Sequence, residues 1–255
     1  MDVVELAHAT WTDVRDLLAR APHAVVLVPV GATEAHGPHL PLGTDVIIAE
    51  GTTRRAAAAL AARGRTVVRA PALAYSVTHY AGGFAGTAGV GEAAARAYVR
   101  DVCVGLGHAG FQRVVLVNAH LEPAHVAVLR DAAAEASAAA GGTLCVAFAD
   151  KTEKRFARTL TEEYKRGACH AGSYETSLVL AERPELVRDE RRRLLPALPI
   201  NLAHAMREGK RSFEESGAAD AYFGDPAAAT AEEGEWIYAR LVEMVVTVVE
   251  ETWPP

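Results

Sequence analysis

The chain has 255 residues, of which 50% are hydrophobic, and a formal net charge of -6 at pH 7. This length supplies one substantial hydrophobic core, so we expect a single globular domain over residues 1–255. The acidic balance and the lack of a long Lys or Arg run argue against nucleic acid or a membrane surface as partner, and no stretch has the length of an apolar membrane span.

The predicted elements begin with a helix, because Thr10 to Asp13 resembles a capping box ahead of an apolar pattern. Short β-branched runs without alternation follow, as expected for strands that are buried on both faces. The four runs span residues 24–30, 65–71, 113–119 and 143–149. Alanine-rich helical stretches start at Asp45, Gly91 and Glu122, and an amphipathic helix starts at Thr230.

The alternation of strand and helix predicts the α/β class, as a single-domain three-layer α/β/α sandwich with a largely parallel central sheet. Residues 184–226 are less regular, and we expect them to form surface excursions of the same domain. Three scattered cysteines form no CxxC pair, and the acidic start of the chain lacks the features of a secretory signal. Both observations favour a cytoplasmic location.

The segment VPVGATEAHGPHLPLGTD, residues 28–45, directly follows the first predicted strand. Loops beyond the carboxyl ends of strands are where open α/β sheets bind ligands. If the segment is still extended at Glu34 and His36, these residues point to the same side, because they are two positions apart. Asp45 then stands at the start of a helix, where a carboxylate is favoured.

A second cluster, His120 and Glu122, repeats the two-residue spacing after the third predicted strand. With Glu34, His36 and Asp45 it supplies two imidazoles and three carboxylates, a ligand set suited to Zn or Mn. Five ligands suggest two ions that share a bridging carboxylate. Taken singly, each histidine is more often a hydrogen-bonded loop residue, and Asp45 alone is more often a helix cap. Five further histidines are expected to be hydrogen-bonded structural residues and not metal ligands, namely His8, His23, His108, His125 and His204.

Residues 28–45 resemble the signature of the creatininase (creatinine amidohydrolase) family. Further segments agree in order with the family's motifs, namely GFAGT at 83–87, VNAHLEP at 117–123, HAGSYETS at 170–177 and FGDPAAATAEEG at 223–234. The resemblance spans nearly the whole chain. It implies the family's α/β/α sandwich and a homo-oligomer, often a hexamer.

The resemblance also implies roles for the clustered residues. Glu34 and His120 would bind one divalent ion, His36 and Glu122 would bind the other, and Asp45 would bridge both. Two ions lower the pKa of a water held between them, which gives a bridging hydroxide that attacks the substrate carbonyl.

Three further residues belong to the HAGSYETS segment or directly precede it. His170 is the expected proton shuttle to the leaving nitrogen, because imidazole titrates near neutrality. Glu175 is expected to be catalytic as an orienting partner or a direct ligand, and the alternative is a buried acid that caps a helix. Cys169 is expected to be structural, because a metal hydrolase needs no thiolate.

The resulting prediction is a two-metal amidohydrolase that cleaves a C–N bond of a small, cyclic amide, with creatinine to creatine as the specific expectation. Glu122 matches an acid of creatininase itself, but residues 148–172 hold no counterpart of its pocket tryptophans. Ser76, His79 and Tyr80 are the expected substrate contacts. One alternative is a formamide deformylase that acts on a nucleotide- or pterin-precursor-like substrate, and another is a non-catalytic metal- or ligand-binding relative.

Overall fold

The computed structural model describes residues 3–168 and 170–254. Cys169 lies outside the described residues. Within them, five strands form one parallel sheet in the order β1-β3-β2-β4-β5. The strands are β1 (Val3–Glu5), β2 (Val25–Val30), β3 (Val67–Arg69), β4 (Arg113–Asn118) and β5 (Cys145–Ala149).

Six longer helices cover the sheet or its ends. They are α1 (Trp11–Arg20), α2 (Thr44–Ala62), α3 (Glu92–His108), α4 (Pro123–Ala139), α7 (Ser173–Glu182) and α10 (Ala231–Thr252). Short helices complete the α-helical set, namely α5 (Lys154–Ala157), α6 (Glu162–Lys165), α8 (Asp189–Arg192) and α9 (Leu202–Arg207). Single 3-10 turns span Leu6–His8, Pro184–Leu186 and Pro226–Ala228. No helix in the described residues is long and apolar enough to cross a membrane.

Successive side chains of the central strand enter opposite layers, as the pleat requires. Val25 and Leu27 of β2 pack in the core cluster that also holds buried residues of α2, α7 and α10. Val26 and Val28 pack in a second cluster with buried residues of α1, α3 and α4. The three-layer α/β/α fold and the parallel sheet are therefore confirmed.

The predicted local structure agrees with the observed elements at most positions. Strands β2 to β5 lie inside the four predicted runs, and the capping box forms, since the Thr10 amide donates to Asp13 Oδ2 at 2.8 Å and Thr10 Oγ1 accepts from the Asp13 amide. Strand β1, which pairs with β3 at the edge of the sheet, is missing from the predicted elements. Only three residues long and incompletely buried, β1 has too little apolar pattern to be recognised.

Residues 184–226 differ from the expected surface excursion. Leu202 of α9 and Phe213 are buried in a cluster with Ala35 and Phe223, so this segment packs over the loop that follows β2. The segment shows no hydrophobic periodicity, because it buries isolated side chains. A continuous buried helix face would have given a periodic pattern.

Strand order places a crevice at the carboxyl ends of β2 and β4. The chain leaves β2 through α2 to β3 on one side, then crosses through α3 to β4 on the other side. Such a reversal of strand order is where α/β sheets leave room for a ligand. Gly31 lets α2 start against the end of β2, because a Cβ at this position would lie 2.7 Å from the Val46 backbone nitrogen. Asp45 is therefore held close to the crevice.

Helices α7 and α10 cross at Gly234, which is buried. A Cβ at this glycine would lie 2.0 Å from the Ser177 carbonyl oxygen and 2.8 Å from Ala181 Cβ. The glycine thus sets how closely α10 approaches α7, and α7 carries Glu175 in its first turn.

Candidate metal centre

Buried acids and imidazoles converge on the crevice from separate elements. Glu34 and His36 lie in the loop after β2, Asp45 is in the first turn of α2, His120 follows β4, and Glu175 is in the first turn of α7. Each of the five is at most 4% exposed. Ionisable groups this deeply buried need partners or a bound ion, because an isolated buried charge is strongly unfavourable.

These side chains form two overlapping groups that share Asp45, and a third potential metal-binding group combines Glu34 and His36 with His170. In the first group, His120 Nδ1 lies 3.2 Å from Glu34 Oε1 and 3.2 Å from Asp45 Oδ2. In the second, His36 Nε2 lies 3.5 Å from Asp45 Oδ1 and 3.5 Å from Glu175 Oε2. One carboxylate oxygen of Asp45 thus faces each group.

In both His36 and His120, the ring nitrogen that faces away from the carboxylates donates a hydrogen bond to a backbone carbonyl. His120 Nε2 donates to the Val77 carbonyl at 2.8 Å, and His36 Nδ1 donates to the Glu34 carbonyl at 3.1 Å. A hydrogen bond of this kind fixes the tautomer and leaves a lone pair on the other nitrogen. In both residues that other nitrogen faces the carboxylates.

The spacing within the groups suits a shared ion better than direct hydrogen bonds. Separations of 3.5 Å at His36 Nε2 exceed the usual hydrogen-bond range, and this nitrogen has no hydrogen-bond partner among the described residues. Ligand atoms about 2.1 Å from a tetrahedral zinc ion lie roughly 3.4 Å apart. The donor atoms present therefore suit divalent metal ions, and Asp45 offers one oxygen to each of the two groups that it shares.

The electrostatics of the cluster also call for cations. Burial alone would raise the pKa of Glu34, but the neighbouring His120 lowers it to about 2. Burial alone would lower the pKa of His36, but the carboxylates of Asp45, Glu175 and Glu34 raise it to about 10. Burial raises the pKa of Glu175 to about 7. The carboxylates thus stabilise the protonated imidazoles beside them. Metal ions would compete with these protons for the imidazole nitrogens and carboxylate oxygens.

His170 belongs to the third of these groups, with Glu34 and His36, and lines the same cavity. Its Nε2 donates to the Ala35 carbonyl at 2.9 Å, so its Nδ1, 3.7 Å from Glu34 Oε1, carries the lone pair. Its ring stacks between His36 and Phe213, with centroid distances of 4.3 Å to each. Burial, and then the charge of His36, lowers the pKa of His170 to about 3.

Glu122 is placed differently from the expected pairing with His36. Its Oε2 accepts hydrogen bonds from the backbone amides of His79 at 2.7 Å and Tyr80 at 3.3 Å, while its buried Oε1 has no hydrogen-bond partner among the described residues. Among those residues Glu122 belongs to none of the potential metal-binding groups, and Glu175 takes the place beside His36. The two backbone amides turn the carboxylate away from His36.

The three expected substrate contacts lie in different environments. Tyr80 lines the cavity next to the metal-binding groups. Ser76 is buried and pairs through its hydroxyl with His125 Nδ1, so it does not face the cavity. The His79 side chain is 55% exposed and lies 3.5 Å from Glu92. Only Tyr80 of the three is in position to touch a bound substrate.

Some residues that support or line the site were missed from sequence. His125 is buried, lies 2.9 Å through Nε2 from Asn118 Oδ1, and packs against the His120 ring at 4.8 Å between centroids. The Thr78 hydroxyl donates to Glu34 Oε2. His125 had a sequence signal, since it lies one helical turn after the His120 motif, but Thr78 had none.

The cavity over the groups has a volume of about 440 Å³. Its floor is formed by the buried acids and imidazoles, and its wall comes largely from residues of the segment expected to be a surface excursion. The wall residues are Tyr80, Leu121, Pro123, Leu202, Ala203, Met206, Arg207 and Phe213. A volume of this size lies within the roughly 300–1,000 Å³ that is usual for sites that bind small organic molecules.

The chain resembles members of one hydrolase family along nearly its whole length. The family profile Creatininase, described as creatinine amidohydrolase, matches residues 7–249. The mycofactocin precursor peptide peptidase of Mycobacterium tuberculosis is 34% identical over 240 residues, which cover 90% of this chain and 86% of that protein. The creatinine amidohydrolase of Pseudomonas putida is 26% identical over 273 residues, which cover 99% and 98%.

Solved structures show the same fold. Two creatininase structures, described as Mn and as a mutant of Zn-Zn type, each match with a TM-score of 0.76 over 100% of both chains, at 22% and 24% identity. Because the family profile covers nearly all of the sequence, and the fold agrees from end to end, the chain belongs to the creatininase family of metal-dependent amidohydrolases.

Proposed function

We propose that this chain hydrolyses a C–N bond with two divalent ions, one held by Glu34, Asp45 and His120 and the other by His36, Asp45 and Glu175. The observation that carries the proposal is the shared Asp45, which presents one oxygen to each of two imidazole nitrogens at 3.2 and 3.5 Å. A bridging carboxylate between two nitrogen ligands is the arrangement expected of a two-metal site.

Zn and Mn are the proposed ions, because nitrogen and carboxylate ligands suit both. The solved creatininases described as Mn and Zn-Zn type support this choice. When bound, such ions lower the pKa of a water molecule and polarise the amide carbonyl.

Two further side chains have proposed roles in proton transfer. The Nδ1 lone pair of His170 faces Glu34, so the ring is placed to take a proton from the attacking water and pass it to the leaving nitrogen. Glu122 lines the same cavity, two backbone amides fix its Oε2, and its buried Oε1 has no hydrogen-bond partner among the described residues. We assign Glu122 the role of accepting a proton from the attacking water or a hydrogen bond from a substrate N–H.

The proposed substrate is a small amide with an apolar substituent. A cavity of about 440 Å³ is larger than the creatinine ring requires, and its wall consists mainly of apolar side chains such as Leu202, Met206 and Phe213. The greater identity to a peptide peptidase, 34% against 26% for a creatinine amidohydrolase, favours the same substrate class.

Creatinine is the second candidate, favoured by Glu122 in the position where creatininase carries an acid. A formamide substrate that carries a phosphate is less favoured, because a phosphate needs several cationic side chains around it. Arg207 is the only Lys or Arg among the described residues that line the cavity. Cytoplasmic location, assembly as a homo-oligomer and the single-domain organisation stay predictions.

The substrate class can be tested by proton NMR with protein reconstituted with Zn or Mn. Mixtures would contain creatinine, an N-formyl amine or a short N-acetylated peptide, each with a chelator-treated control. Chelator-sensitive cleavage of any of them supports the proposed hydrolysis. Failure to cleave any amide in the metal-loaded state, with two ions bound, would favour the binding-only alternative.

The different placement of Glu122 and Glu175 predicts different effects of two matched substitutions. We expect Glu175→Gln to lower the metal content from two ions per chain towards one, because it removes an anionic ligand from the second group. We expect Glu122→Gln to keep two ions but lower kcat about a hundredfold or more, which is the usual contribution of a positioned acid or base.

Elemental analysis of the purified variants, together with kcat measured at saturating substrate, checks this prediction. Loss of an ion in Glu122→Gln, with two ions retained in Glu175→Gln, would restore the assignment expected from the sequence. Circular dichroism controls for loss of fold in either variant.

A further inference from the structure

Arg207 differs from the other residues that line the cavity. It is the last residue of α9, is exposed, and is the only cationic Lys or Arg side chain among the described lining residues. The buried floor carries four carboxylates, those of Glu34, Asp45, Glu122 and Glu175. The cavity is therefore acidic at its floor and basic at one point of its mouth.

The guanidinium of Arg207 has no ion pair or hydrogen bond with any of the residues that the structure describes. The nearest acid in the sequence, Glu208, lies 3.3 Å from His204. Most arginines that border acids in this fold are paired, as Arg192 is with Asp189 at 2.7 Å. Arg207 thus keeps all its donors available to a bound molecule.

The wall between the floor and Arg207 is apolar. Its apolar lining residues include Leu202 and Met206 of α9, together with Leu121 and Phe213. A substrate that fills this space has its amide at the buried metal-binding groups, an apolar portion along the wall, and its far end at the mouth. Arginine binds carboxylates through two parallel hydrogen bonds, so an anionic far end would match it.

We propose that Arg207 is a specificity-determining residue that selects amides bearing a carboxylate separated from the scissile C–N bond by an apolar portion. N-acyl dipeptides whose first residue is apolar, and N-acyl ω-amino acids with a long methylene chain between nitrogen and carboxylate, share this chemistry. The proposal rests on the proposed hydrolysis of an amide at the metal-binding groups.

The test compares an N-acetylated peptide that ends in a free carboxylate with the same peptide ending in a carboxamide. For the metal-loaded wild-type protein we expect kcat/KM to be about tenfold or more higher for the free acid, chiefly through a lower KM. Arg207→Met is expected to bring the ratio of kcat/KM for the free acid to kcat/KM for the carboxamide close to one, with the content of metal ions unchanged.

Arg211→Met is the matched control, because Arg211 is an exposed cation close to α9 in sequence that does not line the cavity. It should keep the preference for the free acid. Loss of the preference in both variants would indicate general electrostatic attraction and overturn the assignment to Arg207. An N-acetyl ω-amino acid with a long methylene chain, assayed beside the peptide, shows which source of carboxylate is preferred.

Failure of this inference is separable from failure of the proposed function. Equal cleavage of acid and carboxamide by wild type and by Arg207→Met overturns the role of Arg207 and leaves amide hydrolysis in place. Absence of cleavage of every amide by protein that holds two ions overturns both.

Discussion

Asp45→Asn is expected to lower turnover by roughly a thousandfold or more and to reduce the content of divalent ions. Asp45 Oδ1 lies 3.5 Å from His36 Nε2, and Oδ2 lies 3.2 Å from His120 Nδ1, so each oxygen serves a different group. Asparagine keeps one oxygen and places an NH₂ group where the second ion needs an anion. Each lost ion removes several kcal/mol of stabilisation of the transition state, and about 1.4 kcal/mol corresponds to a factor of ten in rate.

The measurement is kcat on the amide that the NMR assay identifies, together with elemental analysis of the same preparation. Asp101→Asn is a suitable control, because Asp101 is exposed, pairs with Arg100 and does not line the cavity. It should have wild-type turnover and two ions. An Asp45→Asn protein that holds two ions and turns over at the wild-type rate would show that Asp45 does not bridge them.

Gly234→Ala is expected to destabilise the protein by about 3 kcal/mol. The new methyl group would lie 2.0 Å from the Ser177 carbonyl oxygen and 2.8 Å from Ala181 Cβ, so α10 must move away from α7. Overpacking of this kind usually costs about 1–3 kcal/mol, and sometimes more, when backbone must shift. Since α7 carries Glu175, we also expect weaker binding of the second ion.

Urea unfolding of the metal-free protein measures the free energy change, and Gly105→Ala is the matched control. Gly105 also lies inside a long helix, α3, but it is exposed and no atom of a neighbouring element lies within 4 Å of a Cβ placed there. Alanine at that position should increase stability by up to about 1 kcal/mol, through its greater helix propensity. Equal destabilisation by both substitutions would contradict the steric explanation.

The parts of the fold that have strong local signals are predictable from the sequence. Strands β2 and β4 are buried on both faces and therefore appear as uninterrupted β-branched runs, and the helices between them have clear starts. The carboxyl ends of parallel strands share one edge of the sheet, so the sequence pattern places Glu34 and His120 at the same edge, while their pairing at one ion is implied by the family resemblance.

The remaining parts depend on tertiary structure. Glu122 and Glu175 are both acids near strand or helix ends, and spacing alone cannot reveal that backbone amides of His79 and Tyr80 hold the first away from His36. The wall contributed by Arg207 and Phe213 comes from a segment without periodicity. Its position follows from packing against Ala35 and Phe223. Ala35 is far from this segment in sequence, so local pattern cannot reveal the contact.

The carbonyl of Ala35 and the imidazole of His170, 135 residues apart in sequence, meet at the same centre as the ligand groups. Metal ions bound there would tie the loop after β2, the end of β4 and the start of α7 together, and only in the folded chain. Free metal at a hundred times its dissociation constant adds about 2.7 kcal/mol to the stability of a folded protein for each site. With the proposed ions bound, the protein should therefore resist proteases better than its metal-free form does.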